Sequence, residues 1–207
     1  WPSYPAVHLR HAFAVDRPVK SARLYATALG AYEPWLNGKR IGDARMAPEF
    51  TDPSKHILYQ AYDVTALVRK GANMLGLWAG DGTYGSKYST SGRFAFGPAP
   101  CRLRAQIEIE YEDGTQTRVA TGPGWSISDS PIRESSIYDG EVYDARLDRA
   151  DWASAGASQA GWRAAETIDA PAVPIDPQRC PPIRAHEKLR PKSITRIRPG
   201  VYVADFG

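Results

Sequence analysis

Almost every periodic stretch of this chain repeats every second residue. Ala22, Leu24, Ala26 and Ala28 alternate with Ser21, Arg23, Tyr25 and Thr27, and Leu103, Ala105, Ile107, Ile109 and Tyr111 alternate with Arg102, Arg104, Gln106, Glu108 and Glu110. Successive side chains of a strand point to opposite faces, so each run predicts a strand with one dry face. Between Tyr32 and Gly42, Asn37-Gly38 joins two short runs, a strong hairpin signal because both turn residues must reach positive φ. Asp113-Gly114 repeats the device. Pro34 has no N–H for a ladder, so its arm is expected at an edge or a bulge. Asp63 to Val68 followed by Arg69 to Asn73 predicts a strand end, one tight helical turn and a glycine-stopped loop before an apolar strand, Met74 to Ala79.

No stretch has the length and spacing of a long helix. The Ala-rich segment 151–165 is interrupted by Gly156, Gly161 and several serines, so it is expected as a loop with at most one turn. Many short strands punctuated by Gly and Pro predict an all-β sandwich. Five prolines between Pro171 and Pro182 predict an extended connector that leaves the sandwich, and Ser193 to Arg198, Pro199-Gly200 and Val201 to Phe206 predict a last hairpin. The expected organisation is a sandwich over 1–170, then connector and terminal strands over 171–207. A strand pattern stopping at Gly207 without a polar tail suggests a piece of a longer polypeptide.

Composition narrows the function. The 207 residues are 43% hydrophobic and 24% charged, with 18 Gly, 17 Pro and a net charge of +3, which excludes disorder and allows a sizeable core. No apolar run approaches the length of a membrane span, and the first residues lack the order of a signal peptide, so no membrane partner is expected. Residues 179–198 carry Arg179, Arg184, Lys188, Arg190, Lys192, Arg196 and Arg198 against Glu187 alone. They are interleaved with prolines and isoleucines and hold no aromatic for base stacking, so they read as a solvated face or a domain contact and no nucleic-acid partner is expected. Cys101 and Cys180 have no metal spacing and are either one bridge or two small buried hydrophobes; the second is favoured.

Gly80-Asp81-Gly82-Thr83-Tyr84-Gly85 spells a dinucleotide fingerprint, but no apolar helical face follows and Asp81 repels an anion, so no cofactor is assigned. The four histidines are scattered, His8 and His11 point to opposite faces of a strand, and both are expected as surface or half-buried residues. The densest polar-aromatic cluster runs from Arg133 to Arg146. If extended, it sets Asp139 and Glu141 on one side with α-carbons about 7 Å apart, a separation glycosidases use. Yet acids on one strand do not flank a substrate, and Arg133 and Arg146 stand near enough to neutralise them. A structural or domain-contact role is favoured over sugar contact and over acid-base catalysis.

The runs Ala22 to Glu33 and Leu36 to Asp43 resemble the amino-terminal region of bacterial α-L-rhamnosidases. Further matches follow in order: Tyr62-Asp63-Val64-Thr65, Gly80-Asp81-Gly82, Ile132-Arg133-Glu134, Tyr138-Asp139-Gly140-Glu141, Tyr143-Asp144-Ala145-Arg146, Pro182-Ile183-Arg184 and Pro199 to Val203 ahead of Asp205-Phe206-Gly207. The resemblance implies a jelly-roll sandwich of the galactose-binding-domain type. In the full enzyme it is followed by further β-sandwich modules and an (α/α)6 barrel that carries the catalytic carboxylates, so no catalytic residue is assigned here. The implied role is that of a non-catalytic module of a glycoside hydrolase removing terminal α-L-rhamnose, with the other domains of the same polypeptide as partners; the alternative is a free-standing lectin-like module. Some relatives bind rhamnose through calcium with an acid-amide pair at the stretch occupied here by Leu29-Gly30-Ala31, which lacks that pair, so no metal ligand is assigned. If the module touches a rhamnose-containing saccharide, the expected contacts are Asp81, Tyr84, Asp139, Glu141 and Tyr143, because hydroxyl-rich ligands need planar acceptors beside a ring.

Overall fold

The computed structural model describes residues 4–85, 87–89, 92–93, 100–136 and 140–207. Its strands are β1 (Val7–Val15), β2 (Val19–Leu29), β3 (Ala31–Leu36), β4 (Lys39–Arg40), β5 (Ile57–Asp63) and β6 (Gly71–Gly80), with a 3-10 turn at Thr65–Leu67 between β5 and β6. There follow β7 (Lys87–Ser89), β8 (Gly92–Arg93), β9 (Arg102–Tyr111), β10 (Gln116–Ala120), β11 (Ser126–Asp129) and β12 (Ile132–Ser136). The last are β13 (Gly140–Tyr143), β14 (Arg163–Ala164), β15 (Ile175–Pro177), β16 (Ser193–Arg198) and β17 (Val201–Asp205).

The alternating runs form β2 and β9, paired antiparallel with Leu24 opposite Ile107. Their dry faces, Ala22, Leu24, Ala26 and Ala28 on one and Ala105, Ile107, Ile109 and Tyr111 on the other, are all buried. They belong to a five-stranded sheet ordered β10-β9-β2-β5-β15, which faces a six-stranded sheet ordered β14-β11-β1-β6-β3-β4. Consecutive strands change sheets, from β1 to β2, β2 to β3 and β5 to β6, so the expected all-β jelly-roll sandwich is what forms. Tyr32, Leu36, Leu75, Leu77, Ala79 and Val15 fill the core from the six-stranded side.

The Asn37-Gly38 turn joins β3 to β4 with φ of 53° and 78°. Asn37 also stitches layers together: its amide donates to Leu67 O at 2.9 Å and Asn73 Oδ1 at 2.8 Å, and its Oδ1 accepts from the Met74 N–H at 2.9 Å. Tyr32 N donates to Ala47 O and Pro34 O accepts from Ile41 N, so even-numbered positions of β3 face away from β6. Pro34 thus lies one strand in from the edge rather than on it, and turns its missing donor to the side where the ladder is only the two residues of β4. Segment 151–165 is a series of turns ending at β14.

The proline-rich stretch is extended but does not leave the sandwich. Residues 175–177 pair parallel with β5, Pro174 O accepts from Ile57 N and Gln178 N donates to Tyr59 O, so β15 closes the edge of the five-stranded sheet. Prolines are tolerated there because only one side of an edge strand needs donors. The tether continues to Arg184, whose guanidinium meets Asp43 at 2.9 Å. Beyond it, β16 and β17 pair with each other, and every residue of β16 is exposed.

Candidate functional site

The loop after β6 is a single helical turn, Gly82–Gly85. Gly82 sits at φ 52°, where an added Cβ would lie 2.8 Å from the backbone of Gly30 and Ala31, so a side chain is excluded. Asp81 is 9% and Tyr84 8% exposed. Tyr84 lines a groove of about 30 Å³ shared with Leu29, Gly30, Pro48 and Phe50, a space of water size, below that of a sugar ring. Beside this loop the Cys101 thiol is pushed up to about 12, first by burial and then by the charge of Asp81. Cys101 and Cys180 are both free thiols, and Cys180 is exposed, which corrects the expectation that both are buried.

The hairpin β12–β13 grows from the same end of the sandwich. Ala6 N donates to Ile132 O, Ser130 N donates to Ala6 O, and an added Cβ at Gly80 would touch Ala6, so loop and hairpin root meet across one residue. Glu141 and Tyr143 are exposed on β13. The Tyr143 hydroxyl donates to Asp148 Oδ2 at 2.9 Å, and that carboxylate raises the phenol's pKa. Asp139 and Tyr138 lie outside the described residues. Arg133 reaches Asp129 at 3.2 Å and Arg146 reaches Asp144 at 2.6 Å, so these cations serve neighbours other than the expected Glu141. The Arg146 contact, with backbone N–H donation, holds the Asp144 carboxyl down at about 2.

A second cluster was not anticipated. On the outer face of the six-stranded sheet, His8 is 1% and Arg10 2% exposed, under the irregular segment 148–162. This corrects the expectation that His8 is a surface or half-buried residue. Its ring stacks on Trp152 at 4.1 Å and 7° and meets the edge of Trp78 at 5.0 Å, while Trp35 approaches Trp152 at 5.9 Å. An added Cβ at Gly76 would fall 2.6 Å from the Trp152 ring, so a bare backbone lets the indole lie against the sheet. Burial, then the charge of Arg149, lowers the His8 pKa to about 4. Among the described residues, both His8 nitrogens and the indole N–H groups of Trp35 and Trp78 lack partners. The Arg10 guanidinium donates to Trp152 O at 2.9 Å, Ser158 O at 2.7 Å and Gln159 Oε1 at 3.0 Å, and lies 3.7 Å from the Trp162 ring centre. The strand register puts His8 and Arg10 on one face with Trp35 and Trp78, a grouping that no local spacing in the sequence announces.

A calcium site of the kind some relatives use does not fit. Leu29-Gly30-Ala31 offers no side-chain oxygen, and the position of a Cβ at Gly30 is taken by Gly80 O and Cys101. Among the described residues no three of His, Cys, Asp and Glu gather as metal ligands, and no helix is long and apolar enough to cross a membrane.

Comparison with known proteins is consistent over the whole length. The family profile described as alpha-L-rhamnosidase N-terminal domain matches residues 17–187. An α-L-rhamnosidase of Streptomyces avermitilis is 42% identical over 205 residues, covering 98% of this chain and 20% of its own length. One from Formosa agariphila is 30% identical over 210 residues, 99% of this chain and 22% of its own. The crystal structure of the S. avermitilis enzyme complexed with L-rhamnose superposes with a TM-score of 0.89 at 41% identity, over 99% of this chain and 20% of that one. Native rhamnosidase from Aspergillus terreus superposes with a TM-score of 0.89 at 32% identity, over 99% and 24%. The chain thus spans about a fifth of the curated relatives it matches, and it belongs to the α-L-rhamnosidase N-terminal domain family.

Proposed function

We propose that this chain is a non-catalytic sandwich of an α-L-rhamnosidase that packs against further domains of the same polypeptide and shapes the active site of a downstream (α/α)6 barrel. One observation carries the reading: a chain spanning about a fifth of its relatives presents a hairpin whose large apolar side chains stand in solvent. Ile194 is 65% and Tyr202 62% exposed, with Ile197, Val203, Leu189 and Phe206 also in solvent. A two-stranded hairpin is marginally stable alone, and an apolar patch of this kind is the usual mark of a covered surface. Within this reading the sandwich extends past 170 to its edge strand β15, and the terminal hairpin β16–β17 is the arm that reaches its neighbours.

Saccharide contact, where it occurs, falls to the exposed residues Glu141 and Tyr143 together with Asp139 rather than to the buried Asp81 and Tyr84. The test is chromophore release from a chromogenic α-L-rhamnoside by residues 1–207. No release is expected, and Glu141→Gln leaves that result unchanged. Release that disappears in Glu141→Gln overturns the reading. Saturable binding of L-rhamnose by the isolated chain, with or without calcium, favours the carbohydrate-binding alternative.

A further inference from the structure

We propose that the cleft between the outer face of β1 and segment 148–162 binds a hydroxylated ring carrying a carboxylate, such as a uronic acid unit of a glycan, with Arg10 and Arg149 toward the carboxylate and Trp162 against the ring. The cleft is open, holds about 520 Å³, and is lined by Arg10, Asp148, Arg149, Asp151, Trp152 and Trp162 among others. That volume lies in the range of small-molecule sites.

Charge selects the ligand. A buried cation normally has an anionic partner, yet all three named hydrogen bonds of Arg10 go to neutral oxygens. These bonds take three of the five N–H donors of a guanidinium. Arg149 uses one donor on Ala160 O at 2.8 Å, and its side chain crosses the bare Cα of Gly161. Among the described residues no ion pair engages either arginine. The two cations are close enough that Arg149, after burial, disfavours the charge of Arg10, and Asp151 offsets this only as the smallest contribution. A carboxylate offers two acceptors to such a pair. Asp148, already accepting from Tyr143, and Asp151 are exposed at the rim, where hydroxyl groups suit them and a second anion does not. This separation of cations inside from acids outside favours one carboxylate on a polyhydroxylated ring over a polyanion.

The test is titration of the chain with sodium D-glucuronate, methyl D-glucoside and sodium sulfate separately, following the indole N–H resonances of Trp162 and Trp152. Glucuronate is expected to give saturable shifts at Trp162, and the uncharged glucoside none. Arg149→Gln is expected to weaken binding roughly tenfold, with the thermal midpoint showing that the chain stays folded at the temperature of the titration. Absence of a glucuronate response, an equal response to the glucoside, or sulfate binding as tightly at the same resonances overturns the proposal. The result is independent of rhamnosidase parentage, because none of these measurements involves rhamnoside hydrolysis.

Discussion

The inner face of the six-stranded sheet and the part of its outer face around His8 and Arg10 are both buried, by opposite chemistry. Inward, Leu75, Leu77 and Ala79 of β6 meet Ile107 and Ile109 across a dry interface that obeys the period of two. Outward, the same strands present His8, Arg10, Gly76 and Trp78 to a segment without regular structure, held by a guanidinium, stacked rings and one bare glycine. Alternation tells which residues avoid the core; it does not tell whether they meet water. A long irregular segment can cover a sheet face if side chains satisfy its carbonyls, and Arg10 does this for Trp152 and Ser158.

The sharpest separation of the two faces should come from cutting each. Ile107→Ala, on the opposing sheet that packs against the inner face, is expected to cost about 4 kcal/mol in urea unfolding, because a fully buried methyl-rich side chain leaves a cavity between rigid sheets. Arg10→Met is expected to cost about 3 kcal/mol by stripping donors from the covering segment. Its hydrogen exchange should rise in 148–162 before β9, and uniform loosening of both would dissolve the distinction between the faces.

Acid provides the next contrast. His8 is held neutral with its pKa lowered to about 4, while in the unfolded chain it titrates near its ordinary value. The unfolded state therefore takes up the proton first. Stability is full above about pH 6.5 and falls as pH drops toward 4, although attraction of an imidazolium to the Trp152 face works in the other direction. His8→Phe is expected to flatten the profile between pH 7 and 4.5 by about 2 kcal/mol relative to the unsubstituted chain; an unchanged slope assigns the acid sensitivity elsewhere. The smallest effect belongs to neither face. Ile194→Thr on the exposed hairpin is expected to change the stability of this chain by less than about 0.5 kcal/mol, and a loss near that of Ile107→Ala would place the hairpin on the core.

Local signals were legible where local physics decides. Asn37-Gly38 and Asp113-Gly114 form turns because few other residues reach positive φ, and the glycine positions are at 78° and 80°. Pro34 turns its missing donor toward the two-residue edge strand β4, and Thr65 to Leu67 forms its turn where the pattern placed one. The connector was misjudged because proline excludes a central strand but not an edge, and pairing of 175–177 with β5 rests on residues more than a hundred positions apart. His8, Arg10 and Trp152 were unreadable as a group for the same reason: 142 residues separate Arg10 from the carbonyl it holds.

The sequence alone determined strands, turns, the dry faces of β2 and β9 and the likeness to rhamnosidase amino-terminal domains, since each is written in short-range spacing or ordered motifs. Only the tertiary structure decided that the polar face of β1 lies under a tryptophan-bearing cover, that Asp81 and Tyr84 are enclosed while Glu141 and Tyr143 face solvent, and that a cleft opens beside Arg10. The physical reason is that a period of two assigns a side chain to one face of a sheet, whereas what lies against that face is set by segments distant in the chain.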